Sequence, residues 1–190
     1  SAASDVYKRQ VKSSEDTETA EYVIVDDKNA FKDYVTLRTR RKHNDVVLGD
    51  SGVVITEKLS KDLGVKKGDK ITVTSSAGKQ AEAVVSGITE MYVNHYIYIS
   101  TEYYNELFGN VPDNNRVLIK INGDVSETES YMGDEYLTRD YIKGVSFLNA
   151  NITRFENMIQ SLDLVTWVLI ISAGLLAFVV LYLSLIHISE

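Results

Sequence analysis

From Val53 to Ile121 apolar residues alternate with polar ones in short runs set between glycine-bearing turns, the period-2 signature of strands. "VVIT" predicts a strand, and Thr56 then stands where a hydroxyl can cap a short helix that carries Leu59 and Leu63 and stops at Gly64. "KKGDK" is a turn; "ITVTS" alternates, with Ile71 and Val73 inward and Thr72 and Thr74 outward. "SAGKQ" supplies the next turn and "AEAVVSGI" returns as a strand. In "MYVNHYIYIS", Tyr92, Asn94, Tyr96 and Tyr98 share one face, and Val93, His95, Ile97 and Ile99 the other. A short helix, "TEYYNELFG", is predicted next, capped by Thr101 and stopped by Gly109, and "NRVLIKI" is a further strand. Residues 11–50 pattern more weakly, with "EYVIVD" and "VVLGD" as the expected strands. The pattern predicts an α+β domain, mostly antiparallel, with short helices across a small sheet or barrel.

Beyond residue 150 the period changes to that of a helix. Ile152, Phe155, Ile159 and Leu162 recur at i, i+3, i+7 and i+10, while Arg154, Glu156, Gln160 and Asp163 lie elsewhere around the axis. From Leu164 to Ile186 no charged residue occurs over about 23 positions, against roughly 20 needed to cross a bilayer's hydrocarbon core. Leu, Val and Ile occupy every face, which excludes an amphipathic surface helix. Trp167 and Tyr182 stand near the two ends, where interfacial aromatics are found. Ser172, Ala173, Gly174 and Ala177 cluster mid-span, and Ala173 with Ala177 forms a small-xxx-small pair that permits close approach of another helix. One helix from Asn151 through Tyr182 would reach about 48 Å at 1.5 Å per residue. Its first third would be an amphipathic stalk and the remainder a membrane span.

Composition narrows the function classes. The chain has 190 residues, a 44% hydrophobic content, one Pro and a net charge of −7. That content supports a packed core, and the charge disfavours nucleic acid, whose phosphates need clustered Lys and Arg. The one basic cluster, "LRTRRKH" at Leu37 to His43, reads as a short solvated turn. No cysteine is present, which excludes disulfides, thiolate metal sites and cysteine nucleophiles. "SAASDVYKRQ" lacks the apolar centre of a signal peptide.

Candidate chemistry is thin. Ser51 in "GDSG" resembles a serine-protease nucleophile motif, but Val53 replaces its third glycine and His43 lies only eight residues upstream; a turn before a strand is the better reading. "GVKKGDK" and "SAGKQ" lack the G-x-x-x-x-G-K-[ST] phosphate loop, and His43, His95 and His187 have no metal-ligand spacing. The acidic residues form no pair that can be placed in a shared cleft. The tyrosine face of "YVNHYIYIS" could be a binding surface, though aromatic strands more often pack. No enzymatic activity and no cofactor is expected.

Three stretches carry a family resemblance. "GVVITEKLSKDLGVKKGDKITV", "SGITEMYVNHYIYISTEYYNELFG" and "DLVTWVLIISAGLLAFVVLY" resemble the extracytoplasmic domain and the following transmembrane helix of FtsX-like (MacB-related) ABC transporter permeases, of the large kind found in Gram-positive bacteria. With gaps they run from about Gly52 to Tyr182. In that family the helix continues into a polar turn of the type N-L-T-N-I-N-I-S-E-R; "LSLIHISE" lacks its asparagines and resembles translated sequencing adapter, as does "SAASDVYKRQ". The chain is therefore read as a truncated gene, native from about Val11 to Tyr182.

The expected organisation is an adapter-like segment at 1–10, an extracytoplasmic α+β domain at 11–150, and an amphipathic stalk at 151–163. A transmembrane helix at 164–182, apolar to 186, and a second adapter-like segment at 183–190 complete it. The resemblance implies a permease subunit in the cell membrane, multi-pass in the full-length protein, with its soluble domain outside. Its implied partners are a cytoplasmic P-loop ATPase, other transmembrane helices of the same permease or a second copy, and membrane lipids. ATP hydrolysis by that partner would drive extracytoplasmic movement, for export of a peptide or lipid-type substrate or for regulation of a cell-wall process. The alternative class is a single-span, membrane-anchored extracytoplasmic sensor or binding domain. An anchored transferase or protease is disfavoured by the lack of a nucleophile, a metal site or an acid pair.

Overall fold

The computed structural model describes residues 2–14, 16–92, 94–110, 113–120, 131–132, 135–140, 142–146 and 148–188. The chain divides into two compact units, residues 1–120 and 121–190. In the first, seven strands among the described residues form one sheet: β1 (Ala2–Lys12), β2 (Thr17–Val25), β3 (Val53–Thr56), β4 (Lys70–Thr74), β5 (Gln80–Thr89), β6 (Tyr96–Ser100) and β7 (Arg116–Leu118). Three short helices join them: α1 (Lys28–Lys32), α2 (Glu57–Asp62) and α3 (Thr101–Phe108). In the second unit, α4 runs from Leu148 to Ile188.

The strand order is β2-β6-β3-β5-β4-β1, and β1 also pairs with β2, so six strands close into a barrel, with β7 added against β1. Residues 2–10, placed outside the native domain by the sequence reading, supply most of β1. The sheet is mixed, which corrects the mostly antiparallel expectation in part: β2–β6 and β3–β5 are parallel, and the other pairs are antiparallel. The turn "SAGKQ" marks the β4–β5 hairpin, a consecutive antiparallel pair; β1–β2 is another, which the sequence reading did not predict. Parallel partners are separated by other elements (α2 and β4 lie between β3 and β5), and alternation within a strand carries no record of such distant pairing.

Burial explains the continuous apolar runs. Tyr22, Ile24, Val53, Ile55, Ile97 and Ile99 belong to one buried cluster, shared with Leu59 of α2, Leu63 just after it, and Tyr103, Tyr104 and Phe108 of α3. Their sequence neighbours Val23, Val25, Val54 and Tyr98 enter a second cluster with Phe31, Leu37 and Leu48. Strands β2, β6 and β3 are therefore covered on both faces, so they show no polar alternation. The cover is the segment between β2 and β3. Its "VVLGD", expected as a strand, forms none, but it buries Leu48. By contrast β5 alternates along its length, with Ala83 and Val85 at 0% exposure.

Two local predictions shift by a residue or a role. Ser100, not Thr101, caps α3, its Oγ accepting the Tyr103 N–H at 3.2 Å, while Gly109 ends the helix in the left-handed region as expected. Thr56 precedes α2 but makes no side-chain cap bond; its hydroxyl donates to the Asn94 carbonyl and accepts the Tyr96 N–H, each at 3.2 Å. "NRVLIKI" is a strand only over Arg116–Leu118, and its Ile121 lies outside the described residues. Gly52 in "GDSG" has φ +147°, and a Cβ there would stand 2.7 Å from Ser86 Cβ and 2.9 Å from the Val84 carbonyl. The glycine allows the turn to approach β5 where β3 begins.

The barrel closes at its weakest ladder. Strands β1 and β4 share a single register pair, Lys12 with Thr72. Just beyond it, tyrosine hydroxyls replace the missing ladder: Tyr22 accepts the Thr74 N–H (3.2 Å) and donates to the Gln10 carbonyl (3.0 Å), and Tyr7 donates to the Thr74 carbonyl (3.2 Å). The two rings stack, with centroids 5.0 Å apart. Burial pushes the Tyr22 hydroxyl up to about 12, so it stays neutral and available as both donor and acceptor. Replacing Tyr22 by Phe keeps the packing and strands the Thr74 N–H; a stability loss of roughly 1–3 kcal/mol is expected in denaturant unfolding. An unchanged midpoint would show that the seam does not need the hydroxyl.

Candidate functional site

The largest feature outside the barrel is α4. Within it Met158–Ser184, 27 residues whose most apolar 18-residue stretch has a mean hydropathy of 2.7, is long and apolar enough to cross a membrane, and none of that stretch is buried. Every described side chain of that span is exposed: Leu164, Leu176 and Phe178 at 67–68%, and Trp167 at 64%. A helix apolar all round and uncovered has no stable surface in water. Two of its hydroxyls are satisfied locally. The Thr166 hydroxyl donates to the Leu162 carbonyl at 3.0 Å, and that of Ser172 to the Val168 carbonyl at 2.7 Å. Hydroxyls bonded back into their own helix leave no unmet donor for a hydrocarbon environment to penalise.

Ser172, Ala173, Gly174 and Ala177 all lie on this exposed stretch, with open space beyond the Gly174 Cα. Ala173 and Ala177 are one helical turn apart, so they share a face. Of the stalk positions, Ile159 and Leu162 are 53% and 60% exposed. The backbone at Ile152 and Phe155 is helical, but their side chains lie outside the described residues, as does Val93.

A polar cluster that the sequence did not reveal sits on the barrel. Asp62, in the last turn of α2, accepts from Lys58 Nζ at 3.0 Å and lies 2.8 Å from His95 Nε2, just before β6. On the other side of the ring, His95 Nδ1 faces the Thr19 carbonyl at 3.2 Å and Glu18 Oε2 at 3.8 Å. With Nδ1–H donating to Thr19, a neutral ring accepts from Lys58 Nζ (3.1 Å), and a protonated ring donates Nε2–H to Asp62 instead. Either state is satisfied, so His95 fastens β6 to both α2 and β2. The lysine and the histidine hold the Asp62 carboxyl below its ordinary range. Only Lys58 with Asp62, spaced i,i+4 on a helix, could have been read from the sequence; His95 arrives from 33 residues away.

A cavity of about 220 Å³ opens beside this cluster, lined by Thr19, Glu21, Asn94 and His95 among others. It is smaller than the roughly 300 Å³ at which ligand pockets begin. No group of acidic or histidine side chains among the described residues is placed to hold a metal ion. Ser51 lies in the exposed bend before β3. The tyrosine face is divided. Tyr98 is buried, its hydroxyl pushed up to about 12 by that burial, and it packs 6.0 Å from Phe31; Tyr92 is 58% exposed.

No protein-family model matches the chain, and no curated protein matches it. Among solved structures it is similar to the extracellular domain of the noncanonic ABC-type transporter YknZ from Gram-positive bacteria, at 13% identity and a TM-score of 0.44. The match spans 58% of this chain and 58% of that one. A likeness of that size fixes neither fold nor function.

Asp62 gives the pH prediction for this site. Because its folded carboxyl sits below the ordinary 3.8, its stabilising effect is present above that value and is lost as the pH falls through the lowered range. Asp62→Asn should therefore lower Tm near neutral pH and converge on the parent protein once the pH has fallen through the lowered carboxyl range. Parallel Tm curves across the whole range would refute the assignment.

Proposed function

We propose that the chain is the extracytoplasmic domain and the following transmembrane helix of an FtsX-like ABC transporter permease. The observation that carries the membrane part of this reading is α4: from Leu164 to Leu183 it is charge-free, apolar on every face and exposed, with the Thr166 and Ser172 hydroxyls turned into their own backbone. The permease part is supported by the three stretches that resemble that family. In this reading a separate P-loop ATPase on the cytoplasmic side supplies the energy, and the chain carries out no chemistry of its own. Nucleotide-driven movement reaches the barrel through the stalk at 151–163, since α4 continues through the stalk into the span without a break. The work done outside is export of a peptide or lipid-type substrate, or control of a cell-wall process. Ser172, Ala173, Gly174 and Ala177 are the face on which another transmembrane helix of the permease, or of a second copy, would pack.

Long-read sequencing across both ends of the locus tests the reading directly. The permease predicts a reading frame that continues past Tyr182 into a charged turn and further spans, with a P-loop ATPase gene nearby. A stop codon soon after the helix, with no such neighbour, would make the protein a single-span anchored domain instead. In the intact transporter, Gln160→Pro should separate ATPase activity from transport, because proline removes a helical hydrogen bond and kinks the rod. Retained coupling in that variant would exclude α4 as the transmitting element.

A further inference from the structure

The basic turn after Leu37 has a definite form. The backbones of Arg38 and Asp45 pair as an isolated antiparallel β-bridge, and Thr39 closes the turn: its N–H donates to the Asn44 carbonyl (2.9 Å), its carbonyl accepts the His43 N–H (3.0 Å) and its hydroxyl accepts the Asn44 N–H (3.1 Å). His43 takes φ +50°, the left-handed conformation that tight turns require and that histidine tolerates better than most residues. The base of the turn is fastened to the end of β5. The Arg38 N–H donates to Thr89 Oγ1 (3.1 Å), and the Arg38 carbonyl accepts from that hydroxyl (3.2 Å) and from the Glu90 N–H (2.8 Å).

Charge is sorted along this turn. At the base, Arg38 pairs with Glu90, and Arg40 lies 3.6 Å from Glu57 with its guanidinium over the Tyr92 ring at 5.2 Å. At the tip, Arg41 and Lys42 are exposed and have no ion pair or hydrogen-bond partner among the described residues. Four cations and no acid thus occupy the seven residues from Leu37 to His43, in a chain whose net charge is −7. Two uncompensated cations on a braced, exposed tip offer no enclosed site for a small anion. An open plane of phosphates suits them, and the exposed Tyr92 ring below Arg40 has the amphipathic character of an interfacial aromatic.

We propose that this turn docks the barrel on anionic lipid headgroups of the membrane that α4 crosses; the inference rests on the membrane reading given above. The tip and the span belong to one chain, so the second contact is intramolecular and weak attraction suffices. Each cation near an anionic leaflet gains about fivefold in occupancy, so Arg41 and Lys42 together give roughly 25-fold.

Because the chain has no cysteine, Asn44→Cys gives a single labelling site at the tip. The full chain carrying a fluorophore there would be placed in nanodiscs of phosphatidylcholine alone, or with phosphatidylglycerol added, each containing brominated lipid as a contact quencher. The proposal expects strong quenching in the anionic discs, little in the neutral ones, and loss of the difference in the Arg41→Gln/Lys42→Gln variant and at high salt. Equal quenching in both discs, or quenching that survives the double variant, overturns it. An unquenched tip in anionic discs also overturns it, and leaves the turn to an acidic protein surface. Failure of the chain to enter discs at all would instead overturn the membrane reading.

Discussion

Closure of the barrel between β1 and β4 is the constraint on which the rest of the first unit depends. Six strands can enclose an apolar interior only if the last meets the first, yet that meeting has one register pair. Tyr22 resolves this because its ring and its hydroxyl act in different places. The ring fills the interior cluster, and the hydroxyl reaches the seam, where it satisfies the Thr74 N–H that would otherwise face a missing strand. Tyr7 does the same for the Thr74 carbonyl. An open edge in this position would expose unpaired backbone and the interior together.

With the barrel closed, the outer face of β2, β6 and β3 still needs cover. Residues 26–50 provide it with Phe31, Leu37 and Leu48, and the same segment presents the basic turn. Lys28, paired with Asp50 and 3.5 Å from Glu102, ties α1 to both the "GDSG" bend and α3. The covering segment is thus held at its ends and along its length although it contains little regular structure. Polar ties of this kind cluster at the edges of the core: Thr56 and His95 both anchor the entry to β6, one of the three strands that separate the two apolar clusters.

The second unit follows a different rule. The barrel hides apolar side chains from water by wrapping strands around them, whereas α4 leaves its own uncovered from Leu164 to Leu183. A helix can do this in a bilayer because its backbone hydrogen bonds are internal, and the Thr166 and Ser172 hydroxyls follow the backbone's example. The solvent that suits the two units is therefore not the same.

The sequence by itself determined everything that depends on neighbours within a turn or two. The span was legible because twenty-odd consecutive apolar residues need no partner to declare themselves, and the β4–β5 hairpin because its turn residues and alternation are contiguous. The glycine stop at Gly109 was legible for the same reason. Tertiary structure decided what depends on residues brought from far away. The parallel pairing of β3 with β5 leaves no local periodicity to read. Thr56 was expected to cap α2, but Asn94 and Tyr96 compete for its hydroxyl across 38 and 40 residues of chain. His95 looked isolated because its partners on α2 and β2 come together only when the barrel closes. Local periodicity records which face of an element is apolar; only the closed fold records which distant polar groups must then satisfy one another.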